Sequence, residues 1–165
     1  MCGMLRDVGV GAAAAYGAGK VMGAATTWFL ERQSEASRRQ EEELTPGGAP
    51  MAIARRLAGV VGTDLTDDQA MRAAVSFHRG LTTAYGVAAV ALVRGGARPL
   101  RAGVAVGTAA FLLVDEGVSA LGVIPRPPAY PLESHLRGLV GHLTFGVATG
   151  GMLALARRLG AITTA

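Results

Sequence analysis

Four apolar runs follow one another along the chain, at residues 8–30, 78–94, 102–124 and 138–156, and none carries the polar outer face that a soluble helix needs. The hydrocarbon core of a bilayer is about 30 Å thick and takes about 20 residues of helix to cross. The first run is interrupted only by Lys20. The second is strictly apolar over residues 80–93, bracketed by Arg79 and Arg94, and reaches spanning length when His78 and the aliphatic stems of those arginines extend it. The third contains the adjacent acids Asp115 and Glu116, and the fourth contains His142. The pattern predicts an all-α polytopic membrane helix bundle of about four transmembrane helices, forming a single integral membrane domain over 1–165 with an extramembrane loop at 31–77. Composition agrees. Half of the 165 residues are hydrophobic although aromatics make up only 5%, and the 24 glycines suit packed membrane helices better than soluble ones. A cleaved signal peptide fits less well, because its apolar core would be the weak "VGVGAAAAYGAG" and three further runs follow.

The connectors predict a lipid-bilayer protein with both termini on one side. "ERQSEASRRQEEE" reads as a solvated prolongation of the first helix, and "TPGGAP" breaks the chain after it. "MAIARRLAGVVG" suits either an interfacial helix or a small soluble cap, and Thr66 with Gln69 forms a capping-box start for the next helix. "GVIPRPPAYPLESH" is a proline-stiffened link between the third and fourth runs. Arg6, Arg94, Arg98, Arg101, Arg157 and Arg158 cluster in short segments on the terminal side, which favours the cytoplasm for both ends. The net charge of +4 comes from scattered arginines with no basic stripe or interleaved aromatics, so no nucleic-acid partner is expected. Cys2 is the sole cysteine, which excludes an internal disulfide and a cysteine metal cluster.

The chemistry-bearing residues are the charges inside the apolar runs. A lone charge at mid-bilayer costs at least about 2.5–3.5 kcal/mol, so such residues face the bundle interior and find partners. Lys20 is the cation that the runs offer to Asp115 or Glu116, and one acid is then left over to hold a proton or meet a cation. These residues, with His142 as a relay near one mouth, are the ion- or proton-handling candidates. The competing reading is a buried ion pair that only sets helix register. His135 precedes His142 by two turns and can share its face, and Glu133 and His135 read as interfacial. A bis-His haem or metal site is conceivable, but no ligand motif of diagnostic spacing is present and none is expected; with no nucleophile elbow, phosphate loop or H-E-x-x-H, no enzyme is expected either.

Small residues predict close packing. Gly11, Ala15, Gly19 and Gly23 recur every four residues, and Gly103 with Gly107 and Gly146 with Gly150 repeat the device, for association within the chain, in a homo-oligomer or with a membrane-protein partner. Residues 9–23 also align loosely with 103–117, and "AYGVA" (84–88) with "TFGVA" (144–148), as two pseudo-repeated helix pairs would.

The segment "LGVIPRPPAYPLESHLRGLVGHLTFG", with its linker prolines Pro125, Pro127, Pro128 and Pro131 and the sequence Gly141, His142, Leu143 opening the last helix, resembles the YagU-like family of bacterial inner-membrane proteins. Lys20 within the first run adds to the resemblance, which is best over residues 102–158. The chain departs from the family pattern at Ala24, where a carboxylate near the lysine would be expected, and Asp115 and Glu116 are the available substitutes. The resemblance implies a small multi-pass protein of the bacterial inner (cytoplasmic) membrane with no assigned molecular activity. Two functions remain open: ion or proton handling, or a structural subunit docking another membrane protein through its small-residue faces.

Overall fold

The computed structural model describes residues 2–162 and is all-α. Helix α1 (Cys2–Leu30) ends where the first apolar run ends, and it does not continue into the charged stretch as the sequence suggested. Instead the chain turns through Glu31–Gln33, and Ser34 caps a separate helix α2 (Glu35–Leu44), its hydroxyl accepting from the Ser37 amide at 3.3 Å. A serine that satisfies an otherwise orphaned amide is enough to restart a helix. Gly47 and Gly48 then turn the chain with φ of 75° and 93°, conformations that only glycine adopts cheaply, and α3 (Ala49–Val60) follows. The capping box at Thr66 forms with both arms, the Thr66 hydroxyl accepting from the Gln69 amide at 3.3 Å and the Gln69 side chain accepting from the Thr66 amide at 3.0 Å. It opens α4 (Asp67–Arg94). Helix α5 (Pro99–Ala110) runs on through a π-helical segment, Phe111–Gly117, into the short α6 (Val118–Ala120), and a 3-10 turn at Pro127–Ala129 leads to α7 (Leu132–Arg158).

The four long rods α1, α4, α5–α6 and α7 form a ring in which each packs against two neighbours. Neighbours run antiparallel: Asp7 of α1 pairs with Arg94 of α4, Met152 of α7 lies against Gly17 of α1, and Leu100 of α5 lies against Gly150 of α7. The approach is close enough that backbone meets backbone. A Cβ at Gly11 would lie 2.8 Å from the Val87 amide nitrogen, and one at Gly103 would lie 2.6 Å from that of Gly150. Gly86 is the counterpart of Gly11 across the α1–α4 crossing, and Gly146 faces both Gly103 and Gly107 across the α5–α7 crossing. Gly19 and Gly23 do not belong to these crossings. A Cβ at Gly19 would meet only the Thr82 methyl at 3.9 Å, and one at Gly23 would meet nothing within 4 Å. The drift of a straight helix, 3.6 rather than 4 residues per turn, carries the ridge off the contact face.

The interior is small and the exterior is large. Ala14, Ala15, Ala18, Ala89 and Ala102 are buried, with Leu153 and Phe145 among the few bulky side chains inside, whereas Leu100, Leu112, Leu113, Val147 and Leu155 are exposed. Two helices are long and apolar enough to cross a membrane, Pro99–Ala120 and Leu132–Arg158, and only 33% of each apolar window is buried, unlike the core helix of a soluble protein. Helix α1 has the length, but its apolar residues are mainly Ala and Gly, which add little hydropathy. The first half of α4 carries Asp67, Asp68, Arg72 and Arg79.

Candidate functional site

The polar residues gather at the end of the bundle where α1 finishes and α7 begins. A cavity of about 340 Å³ opens there, walled by α1, α4, the π-helical segment and α7 and roofed by α2 and α3. The wide turn of the π segment arises in "FLLVDEG", where the small Gly117 sits with its would-be Cβ 3.1 Å from the Leu112 carbonyl oxygen. Single π turns inside α-helices cost stability and recur at functional sites. This one presents both acids to the cavity. Asp115 lies with Oδ2 3.4 Å from His142 Nδ1, and Glu116 Oε1 lies 2.7 Å from His135 Nδ1.

The two acid–imidazole pairs differ in where their protons must be. His135 Nε2 lies 3.0 Å from the Pro127 carbonyl oxygen, which can only accept, so Nε2 carries a hydrogen. The Glu116–His135 contact then holds one proton between its two heavy atoms, as carboxylate with imidazolium or as carboxylic acid with imidazole. Both ring nitrogens are occupied and the pair is neutral overall. His142 is different. Its Nδ1 faces two acceptors, the Gly138 carbonyl oxygen at 3.0 Å and Asp115, so the hydrogen sits on Nδ1. Its Nε2 has no hydrogen-bond partner among the described residues. That nitrogen can take a proton and pass it on, while the ring itself is held by the helix backbone and by Phe111, 6.2 Å away between ring centroids.

Asp115 owes its position to Gly138, since a Cβ there would collide with Asp115 Oδ2. His78 of α4 lines the same cavity, and a second cavity of about 30 Å³, the size of one water molecule, lies beyond it between His142, Tyr85 and Phe145. Met22, His78, Val114 and His142 form walls of both.

The roof is fastened by polar contacts. Arg137 of α7 forms a two-pronged ion pair with Glu41 of α2, and Arg137 Nη1 also donates to Gln33 Oε1 at 2.6 Å. Gln33 and Ser134 each donate to Glu41 Oε2, at 3.1 and 2.9 Å, and Glu133 accepts from the Ser34 amide at 2.8 Å. Burial pushes the Glu41 carboxyl up, but the hydrogen bonds from Arg137 and Gln33 outweigh it and hold the group below its ordinary value. The Tyr130 hydroxyl, also at the cavity, is buried with no partner among the described residues.

No family model, no curated protein and no solved structure matches this chain.

Of the residues singled out in the sequence, the fold brings Asp115, Glu116 and His142 together and leaves Lys20 out. Lys20 is exposed on the outer face of α1, its ammonium 5.3 Å from the Tyr16 ring centroid. The reason is helical phase: α1 turns Ala18 and Met22 inward, and a residue two positions from either points about 200° away. The expected partner of the acids is therefore replaced by His142 and His135. Sequence reading missed Glu41, Arg137 and Gln33, which meet only because α2 folds back over α7, and the charged run gave no sign of that. Among the described residues, no three His, Cys, Asp or Glu side chains converge as a metal-holding group.

Proposed function

We propose that this chain is a four-span protein of a bacterial inner membrane that handles protons or small cations at the Asp115–His142 pair. The observation that carries the reading is His142 at the cavity wall, with Nδ1 fixed beside a carboxylate and Nε2 without a hydrogen-bond partner among the described residues. A group with one face tied to an acid and the other unpartnered at a cavity wall can accept a proton on one side and stabilise it from the other. The exposed leucines of the outer surface, and Trp28 with Arg32 stacked 4.1 Å from its ring at the cavity end, support placement of the bundle in lipid with an aromatic anchor at that interface. The resemblance to the YagU-like family supports the bacterial inner membrane. Paired crossings at Gly86 and Gly146 support two repeated helix pairs. No chemical transformation of a substrate is assigned.

The test is proton flux in proteoliposomes under an imposed pH gradient. Wild-type protein should acidify or alkalinise the lumen faster than empty vesicles, and Asp115→Asn and His142→Phe should each abolish that difference while remaining helical and monodisperse. Flux that persists in both variants would remove the pair from the function.

A second reading, an accessory subunit or homo-oligomer, is favoured by Gly9 and Gly23, exposed on α1 with nothing within 4 Å of a Cβ. Cysteine cross-linking in membranes from Gly23→Cys should give a discrete adduct under this reading, and none under a monomeric pump or channel.

A further inference from the structure

Charge balance within the cavity identifies what it can hold. The titratable and charged groups facing Asp115 and His142 are His78 from α4, Glu116 from the π segment, Tyr130 from the proline link, His135 and Arg137 from α7, and Glu41 from α2; α1 and α3 contribute Met22, Thr26 and Ile53, which do not titrate. Arg137 cancels Glu41 in their two-pronged ion pair. Glu116 and His135 share a single proton and are neutral together, because the Pro127 carbonyl fixes a hydrogen on the far ring nitrogen. With His78 and His142 uncharged, the cavity is left with one formal negative charge, on Asp115, whose side chain is 34% exposed.

The walls select the kind of cation. A bare transition-metal ion needs several converging side-chain ligands, and among the described residues no three His, Cys, Asp or Glu side chains converge. The volume of about 340 Å³ falls within the size range of small-molecule sites, and much of the lining is apolar, from Met22, Ile53, Val114 and Ile124. Tyr130 adds an aromatic ring, a group that attracts a diffuse positive charge, to the lining. One carboxylate in an apolar, ring-lined chamber is the chemistry that recognises a substituted ammonium group.

We propose that the cavity binds one small organic monocation against Asp115, in competition with a proton on His142 Nε2. This rests on the function proposed above and supplies its substrate class. When His142 is protonated its imidazolium already neutralises Asp115; as the cation enters, that proton leaves Nε2 for solvent and the net charge of the cavity is conserved. Proton and cation thus exclude one another at one site, which is the requirement for exchanging them across a membrane.

The experiment is isothermal titration calorimetry of the full chain in dodecyl maltoside micelles, with choline as a permanent cation and 3,3-dimethylbutan-1-ol as its neutral isostere. Choline should bind saturably at one site, the alcohol should not, and the affinity should fall as pH is lowered, with a heat that varies with buffer ionisation enthalpy because a proton is released. Asp115→Asn should weaken choline at least tenfold, and Lys20→Met, on the outer face, should leave it unchanged. Equal affinity of the two isosteres, an undiminished affinity in folded Asp115→Asn, or no binding by folded wild type would overturn the proposal. Proton flux without choline binding overturns this inference alone; absence of both overturns the proposed function as well.

Discussion

Glu116 Oε1 lies 2.7 Å from His135 Nδ1, and the opposite nitrogen of the same ring donates to the Pro127 carbonyl, so one imidazole ties the π-helical segment to the proline link and to the start of α7. The adjacent acid is bound in no such chain. Two neighbouring carboxylates thus divide their work, Glu116 bracing the wall of the cavity and Asp115 facing into it. Both residues line the cavity from the π-helical segment.

The bracing role has a measurable consequence. In Glu116→Gln the amide can donate to the His135 Nδ1 lone pair, so the link survives with a neutral ring. Glu116→Leu leaves that nitrogen without a partner in a half-buried position and should cost about 1–3 kcal/mol. Thermal unfolding in detergent should therefore show a small shift for the glutamine variant and a clear drop for the leucine variant. Equal drops in the two would show that the ring is not held by this bond.

Lys20 provides the opposite test. It lies on the outer surface over Tyr16 and touches none of the acids, so Lys20→Met should change stability by no more than about 0.5 kcal/mol and leave proton flux intact. A large effect on either would restore the lysine to the interior charge network.

Signals that depend on a few consecutive residues were legible before the fold was known. The Thr66–Gln69 box and the small residues at Gly11, Gly103 and Gly146 follow from local spacing. The partners of Asp115 and Glu116 were not, because they lie 27 and 19 residues away on another helix and their meeting depends on helix phase and on a π turn. Phase also misled at Lys20, where a rotation of two residues decides between core and surface. Helix α2 was legible as polar and helical, but its folding back over α7 depends on Glu41 finding Arg137, a contact 96 residues apart.

Glycine crossings predict an ordered series of substitutions. At Gly103 an added methyl would collide with the Gly146 carbonyl oxygen and crowd the Gly150 amide, neither of which can rotate away, and Gly103→Ala should lose about 1–3 kcal/mol. Gly23→Ala meets open space in a helix and should be neutral or stabilising, by up to about 1 kcal/mol from the gain in helix propensity. At Gly138 the obstacle is the Asp115 carboxylate itself, so Gly138→Ala should displace that group and reduce flux more than it reduces stability. Circular dichroism melts and flux measured on the same three preparations separate packing from function.

The roof should respond to acid. Glu41 is held below its ordinary value in the folded chain by the hydrogen bonds of Arg137 and Gln33, so the stability it contributes is fully present above the unfolded glutamate value and is lost as pH falls through the depressed folded value. Helix α2 is rich in charged residues, so once the Glu41–Arg137 pair loosens, little apolar contact remains to hold it over the cavity. Spin labels at Arg38→Cys and Arg126→Cys should therefore keep one short distance at neutral and mildly acidic pH and acquire a longer, broader distribution below the normal glutamate range. Glu41→Gln, which imitates the protonated form, should show the longer distribution already at neutral pH. If the distance stays short in Glu41→Gln, the roof is held by something other than this ion pair, and access to Asp115 is not controlled by it.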